Sequence, residues 1–405
     1  MRKAARVSLL MLVFAIPWEY SLDWGAPFGN VARVLGLMTL LVSAMAIFRE
    51  GHIRKLREVH WLILALYVWF CLSYFWTVVP QATLAHLRGY VQEMMLAWLV
   101  WEFAESAPDV RNLMRAWLAG SWVLAILTFA DFVIAYMAGA DQVRFAAIGQ
   151  DPNDVARFLD FGFPLAALLL DGQEGRIIRA LALVYFPVGF ACVLLTASRS
   201  GLVVAMVALA GCAVIASKRP QRRVALGTLV VVGAAALVIA IGSQATVGRL
   251  GTVTELWQNG DLNQRVNIWS EGWRAFERAP IAGHGAGSFV TAAGLAAEDS
   301  AHNTVLAILV ESGLCGLVLA TAIVVVTVRA IGRTSGELRL GLSVLMVAWG
   351  ISSLVGTVGE NRTTWLLLGI IAVSQRVAEE NPVGLELISG TAGWKLNLEA
   401  PDFSE

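Results

Sequence analysis

The feature that most constrains this chain is a series of long apolar runs, most of them separated by short polar segments. A helix that crosses a bilayer needs about 20 mostly apolar residues, and about twelve runs approach or reach that length. The first, fourth, sixth and twelfth of them are short. The runs cover residues 6–19, 30–48, 60–76, 90–104, 113–138, 156–170, 178–197, 201–217, 224–242, 303–328, 339–358 and 363–377. We therefore predict an all-α polytopic membrane protein with about twelve transmembrane helices.

The charge content supports this class and excludes others. Charged residues make up 15% of the 405 residues and hydrophobic residues 58%, whereas a soluble chain usually carries about 25% charged residues. The thirty basic residues equal the thirty acidic ones, so the formal net charge is zero. Binding to nucleic acid needs a clustered basic face. The sequence thus argues against a soluble enzyme, a disordered chain and a nucleic-acid partner, and it predicts membrane lipids as the surroundings.

The distribution of basic residues predicts the orientation, because lysine and arginine are in excess in cytoplasmic loops. With the N-terminus inside, the inner segments hold twenty of the thirty basic residues, and the outer segments hold ten, all of them arginine. We therefore expect both termini to be cytoplasmic. The longest polar segment then lies outside, and the chain divides into spans one to nine (1–242), a periplasmic loop (243–302), spans ten to twelve (303–377) and a cytoplasmic tail (378–405).

Within the outer loop, residues 261–278 are predicted to form an amphipathic helix at the membrane surface. Asp261 is the expected N-cap, with Gln264 three residues later, and Arg265 in the first turn can reach an anionic headgroup or a lipid-linked phosphate. Helical spacing puts four apolar side chains on one face: Val266, Trp269, Trp273 and Phe276. The segment Pro280–Phe289 follows, and its alternating glycines allow positive φ or a close approach of two backbones.

His302 has the most suggestive position among the five histidines, because the polar loop re-enters the membrane there. A part-buried histidine can act as a general base near neutral pH; the alternative is an interfacial residue that caps the next helix. Glu311 lies about two turns further on, where a carboxylate either lines a site or joins two helices. His86 is placed in the loop between the third and fourth runs.

Arg199 lies in the tight turn between the seventh and eighth runs. A guanidinium held in such a turn can bind a phosphate with two parallel hydrogen bonds, while the alternative is ordinary contact with lipid headgroups. The four cysteines all fall within apolar runs and form no CxxC pair. We therefore predict neither a disulfide framework nor a zinc site.

Taken together, four segments make the chain resemble the O-antigen ligase and polymerase superfamily. Each is weak alone, but their order and spacing are fairly specific for the superfamily. The segments are Arg144 with Gly149 and Asp151-Pro152-Asn153; Ser198-Arg199-Ser200-Gly201; Arg265 and Trp269 with Pro280–Phe289; and His302-Asn303 with Glu311, Gly313 and Gly316.

The resemblance implies a GT-C-like glycosyltransferase of the bacterial inner membrane that works on the periplasmic face without metal or cofactor. Its donor is a glycan on undecaprenyl diphosphate. A ligase passes the glycan to lipid A–core, whereas a polymerase passes it to a repeat on the same carrier, and the sequence does not decide between them. By resemblance, Arg199 and Arg265 hold the donor diphosphate and His302 activates the acceptor hydroxyl, with direct inverting attack.

The remaining residues of the resemblance are candidates for substrate contact or support: Arg144, Asp151, Asn153, Asn303 and Glu311. One alternative from another class is a transporter or flippase of the same lipid-linked glycan. Transporters usually bind their substrate at the midplane between internal repeats, whereas the charges singled out in this chain cluster at the outer face. A structural scaffold has no positive feature in its favour.

Overall fold

The computed structural model describes residues 1–25, 28–170, 173–217, 233, 265–297 and 299–380. In these residues the chain folds almost entirely into helices. They are α1 (Arg2–Ala15), α2 (Val31–Glu50), α3 (Glu58–Leu72), α4 (Pro80–Phe103), α5 (Ala107–Met137), α6 (Pro152–Leu168), α7 (Arg176–Leu195), α8 (Arg199–Ser217), α9 (Arg265–Arg278), α10 (Phe289–Ala292), α11 (Thr304–Gly332), α12 (Gly336–Val355) and α13 (Arg362–Glu380). The all-α prediction is confirmed for this part of the chain.

Eleven of the predicted runs coincide with one of these helices, whereas residues 243–264 of the loop and, except for residue 233, the run at 224–242 lie outside the described residues. Seven helices are long and apolar enough to cross a membrane: α2, α3 with the turn that follows it, α5, α7, α8, α11 and α12. A multi-pass membrane protein is therefore supported, but the described residues provide seven such spans and not twelve. The four other matching helices are α1, α4, α6 and α13.

Two of those four helices lie in the interior of the bundle. In α13, every residue from Thr364 to Ala378 is buried, and α6 is buried from Phe158 to Leu168. Helix α13 packs along α4, where Gly369 lies so close to Val100 that a Cβ atom would be 2.9 Å from its Cβ. A helix that faces protein instead of lipid does not need a continuous apolar surface. This explains why these helices have weak hydropathy signals.

Ion pairs show which helix ends lie together. Arg2 at the start of α1 bonds to Glu50 at the end of α2 and to Glu102 at the end of α4. Arg376 near the end of α13 donates to the carbonyl of Trp101. We call this the Arg2 end of the bundle, and the opposite one, where α11 begins, the His302 end. The start of α1 and the end of α13, which are the first and last described helices, therefore lie at the same end of the bundle.

Candidate functional site

Two backbone outliers mark the His302 end. Among the described residues, Ala197 and His302 are the non-glycine residues with positive φ, at 47° and 46°. Such conformations are uncommon for residues with a side chain and cluster at functional sites. Both outliers lie in segments that the sequence singled out, because Ala197 comes two residues before Arg199.

The turn that carries Arg199 is held by Arg144 of the α5–α6 connection and by Asn153 in the first turn of α6. Arg144 donates from Nε to the Thr196 carbonyl (3.1 Å) and from a terminal nitrogen to Oδ1 of Asn153 (2.9 Å). The same Asn153 oxygen accepts a hydrogen bond from Ser198 Oγ (2.9 Å). Arg199 then begins α8. Arg144 and Asn153 are therefore placed to support this turn.

Asp151 and Asn303 are both helix caps. The Asp151 side chain accepts a hydrogen bond from the backbone N–H of Asn153 (2.7 Å) at the start of α6. The Asn303 side chain accepts one from the N–H of Leu306 (3.0 Å) at the start of α11. These bonds satisfy N–H groups that have no partner within the helix. Asn303 thereby fixes the helix start directly after His302.

His302 is half-buried, and the Ser300 hydroxyl lies 3.2 Å from its Nδ1. Burial lowers the pKa of His302, and the positive charge of Arg265 lowers it further, partly offset by the carboxylate of Asp151. The neutral imidazole therefore prevails near neutral pH, which is the form that accepts a proton.

The cationic groups of the site act on one another. Burial lowers the pKa of Arg265, at the start of α9, and the charge of Arg199 lowers it further. The structure thus brings Arg199, Arg265 and His302 into one neighbourhood. A further arginine, Arg157 of α6, also acts on His302; sequence reasoning missed it, although it was among the outer arginines. Like charges held together at a half-buried site are suited to an anionic ligand with several phosphate oxygens.

Helix α9 is amphipathic as predicted, and it packs against the protein mainly through small residues. Its buried residues are Ile268, Gly272 and Ala275, and Trp269 donates to the carbonyl of Ala301 (3.0 Å). Of the four apolar side chains predicted to share one face, Trp269 and Phe276 are partly buried against neighbouring residues, whereas Val266 and Trp273 are exposed. The small Gly272 lets α9 approach α11 closely, because a Cβ atom would be 3.0 Å from the Leu306 side chain. The predicted cap Asp261 and Gln264 lie outside the described residues.

The glycine segment is a packing element between α9 and α11. The N–H groups of His284 and Gly285 donate to the carbonyls of Val310 and Glu311 (both 2.9 Å). The Glu311 carboxylate accepts from the N–H of Phe289 (3.3 Å). Helix α11 is interrupted at Gly313, which has a φ of 64°. Glu311 therefore joins this segment to α11, which favours the structural alternative for this residue.

His86 lies at the His302 end of the bundle. It was predicted to lie in a loop, but it belongs to α4, which already begins at Pro80. It forms an ion pair with Glu360 at 2.7 Å.

The four cysteines are free thiols. In the part of the chain that the structure describes, no group of three or more His, Cys, Asp or Glu side chains is arranged to hold a metal.

These features define a helical membrane protein with an arginine cluster beside a neutral histidine at one end of the bundle. A family model described as O-antigen ligase matches residues 184–321, which include Arg199, Arg265 and His302. The exopolysaccharide production protein ExoQ of Rhizobium meliloti (strain 1021) is 22% identical over 285 residues, which cover 65% of this chain and 63% of that protein. The alignment thus spans less than two thirds of that relative. The two matches confirm the resemblance to the O-antigen ligase and polymerase superfamily.

Proposed function

We propose that this protein is a GT-C-like, metal-independent glycosyltransferase of the bacterial inner membrane. It moves a glycan from undecaprenyl diphosphate to a sugar hydroxyl at the periplasmic face. The observation that carries the proposal is that Arg199, Arg265 and His302, which come from three distant segments, lie close enough for Arg199 to act on Arg265 and Arg265 on His302. The match of an O-antigen ligase family model to this region supports it.

The proposed reaction follows from the chemistry of these groups. His302 accepts the proton of the acceptor hydroxyl, and the oxygen forms a bond to the anomeric carbon from the face opposite the leaving group. The bond between that carbon and the diphosphate oxygen breaks, and its electron pair leaves with the diphosphate. Arg199 and Arg265 stabilise the charge that develops on the leaving group. Inversion at the anomeric carbon is the expected outcome.

The acceptor is lipid A–core if the protein is a ligase, and a carrier-linked repeat if it is a polymerase. The family model is described as an O-antigen ligase, whereas the relative is named for exopolysaccharide production. Each reading therefore has one match in its favour. A flippase is less well supported, because the arginine cluster lies at helix ends and not at the midplane where transporters bind substrates.

The test combines gene deletion with point variants. In a deletion strain, carrier-linked chains of normal length that are not attached to lipid A–core indicate a ligase, and single repeats indicate a polymerase. Repeats that accumulate on the cytoplasmic face indicate a flippase. Complementation with Arg265→Gln or His302→Gln should fail at normal expression. Arg274→Gln is the matched control, because Arg274 lies on the same helix, its side chain is 66% exposed and it pairs with Glu271. Normal glycan transfer by the first two variants would refute the proposal.

A further inference from the structure

An apolar cleft lies at some distance along the chain from the arginine cluster. It is a cleft of about 460 Å³ between α1, α2 and α4, with walls that include Leu37, Leu40 and Leu96. Arg33, in the first turn of α2, and Arg362, which begins α13, also line it. Both arginines belong to helix termini at the His302 end. The cleft therefore has a cationic rim and apolar walls that extend toward the middle of the bundle.

The two arginines at the rim differ in their ion pairs. Arg362 is paired with the buried carboxylate of Glu19. Arg33 is exposed, and no carboxylate in the described residues pairs with it. Its side chain can therefore accept an anion without breaking an existing ion pair. A phosphate is a suitable partner, because arginine binds it with parallel charge-assisted hydrogen bonds.

The walls are accessible from the bilayer. Leu37 is 61% exposed and Leu41 58%, so this face of α2 has no protein neighbour among the described residues. A lipid can enter sideways between α2 and α4. The volume of about 460 Å³ suits part of one lipid chain. These properties match a single-chain polyprenyl lipid.

A short connection links the cleft to His302. The Thr304 hydroxyl donates to the Gly356 carbonyl (2.8 Å) and accepts from the N–H of Val358 (2.9 Å). Thr304 follows His302 by two residues, and Arg362 follows Val358 by four. Glu360 lies between Val358 and Arg362 in the sequence. Its side chain is 40% exposed and pairs with His86. A carboxylate in this position can accept hydrogen bonds from the hydroxyls of a sugar.

The geometry points to the cleft as the binding site of the acceptor, a glycan carried on a polyprenyl diphosphate. Its phosphates bind Arg33 and Arg362, its lipid lies between α2 and α4, and its sugar extends past Glu360 toward His302. The assignment rests on the proposed function, in which Arg199 and Arg265 hold the donor. It favours the polymerase reading, because both substrates are then carried on the same kind of lipid.

Native mass spectrometry with undecaprenyl diphosphate as the probe tests this directly. The wild-type protein should retain two lipid molecules, and Arg33→Gln and Leu37→Trp should each retain one. Arg265→Gln should also retain one, and the double variant Arg33→Gln/Arg265→Gln none. Arg88→Gln is the matched control, since Arg88 is an exposed arginine of α4 at the same end, and it should retain two. Each variant should keep the wild-type unfolding temperature.

Three outcomes would overturn the inference: a single lipid on the wild-type protein, two lipids on Arg33→Gln, or the loss of one lipid from Arg88→Gln as well. Displacement of the second lipid by equimolar phosphatidylglycerol would also overturn it, because the cleft would then be a general phospholipid site. If Arg265→Gln retains both lipids while Arg33→Gln loses one, the donor assignment of the proposed function fails and the cleft stands.

Discussion

Ser198 donates a hydrogen bond of 2.9 Å to the side-chain oxygen of Asn153, and so joins the turn that carries Arg199 to the first turn of α6. The same oxygen accepts a second bond from Arg144. Two segments that are more than forty residues apart in the sequence therefore depend on one acceptor atom. The position of Arg199 at the start of α8 follows from this arrangement.

Asn153→Ala should reduce glycan transfer, because it removes the two hydrogen bonds that Asn153 accepts from Arg144 and Ser198. Two lost bonds of about 1 kcal/mol each correspond to a decrease in rate of roughly tenfold or more. Asn153→Asp keeps an oxygen acceptor at the same position and should retain most of the activity. Transfer rates of the purified variants, at matched amounts of folded protein, measure the difference. Equal losses in both variants would show that the acceptor oxygen is not what matters.

The transfer rate should fall at acidic pH, because a protonated His302 cannot accept the hydroxyl proton. Since burial and Arg265 lower the pKa of His302, the rate should stay constant from pH 8 to about 6.5, the ordinary histidine value, and decline only below it. The charges of Arg157 and Asp151 act on His302 in opposite directions. Arg157→Gln should therefore move the acidic decline to higher pH, and Asp151→Asn to lower pH. Shifts of the same sign would contradict the assignment of His302 as the base.

The sequence predicts the helices well where a run is continuously apolar, and less well where polar residues face protein. His86 and Arg88 interrupt the apolar pattern before residue 90, so the fourth run was expected to begin later than α4 does. In the fold, His86 is compensated by Glu360, a residue 274 positions away in the sequence. Pattern recognition has no access to such a partner. For the same reason, the sequence pattern does not show that Arg157 of α6 lies near enough to act on His302.

The site residues Arg199, Arg265 and His302 were found by resemblance, and their proximity is a property of the fold. Helical periodicity puts Val266 and Trp273 on one apolar face of α9, but it does not show which residues contact other helices. The fold presents Gly272 and Ala275 to α11, since small residues permit a close approach of helices. Large apolar side chains can remain exposed where a membrane surface is the neighbour.

Gly283→Ala should destabilise the protein strongly. Gly283 has a φ of 69°, and an added Cβ would overlap the backbone of Glu311. Strain in the left-handed region costs about 1–2 kcal/mol, and the overlap would also break the bonds between this segment and α11. Gly294 has a similar φ of 66° but open space around it, so Gly294→Ala should show the strain alone. Thermal unfolding in detergent should give a clearly larger decrease for Gly283→Ala, and equal decreases would exclude the packing role.

Glu174→Gln should destabilise the Arg2 end, because the buried Glu174 carboxylate accepts hydrogen bonds from both Arg111 and Arg115 at 2.8 Å. Its removal leaves two guanidiniums without their common partner, and breaking a buried ion pair on one side costs about 3–5 kcal/mol. Glu271→Gln removes the partner of the exposed Arg274 on α9 and should cost less than about 1 kcal/mol. Chemical unfolding of both variants measures the contrast. A loss for Glu174→Gln no greater than that of Glu271→Gln would mean that this pair does not hold α5 to the α6–α7 connection.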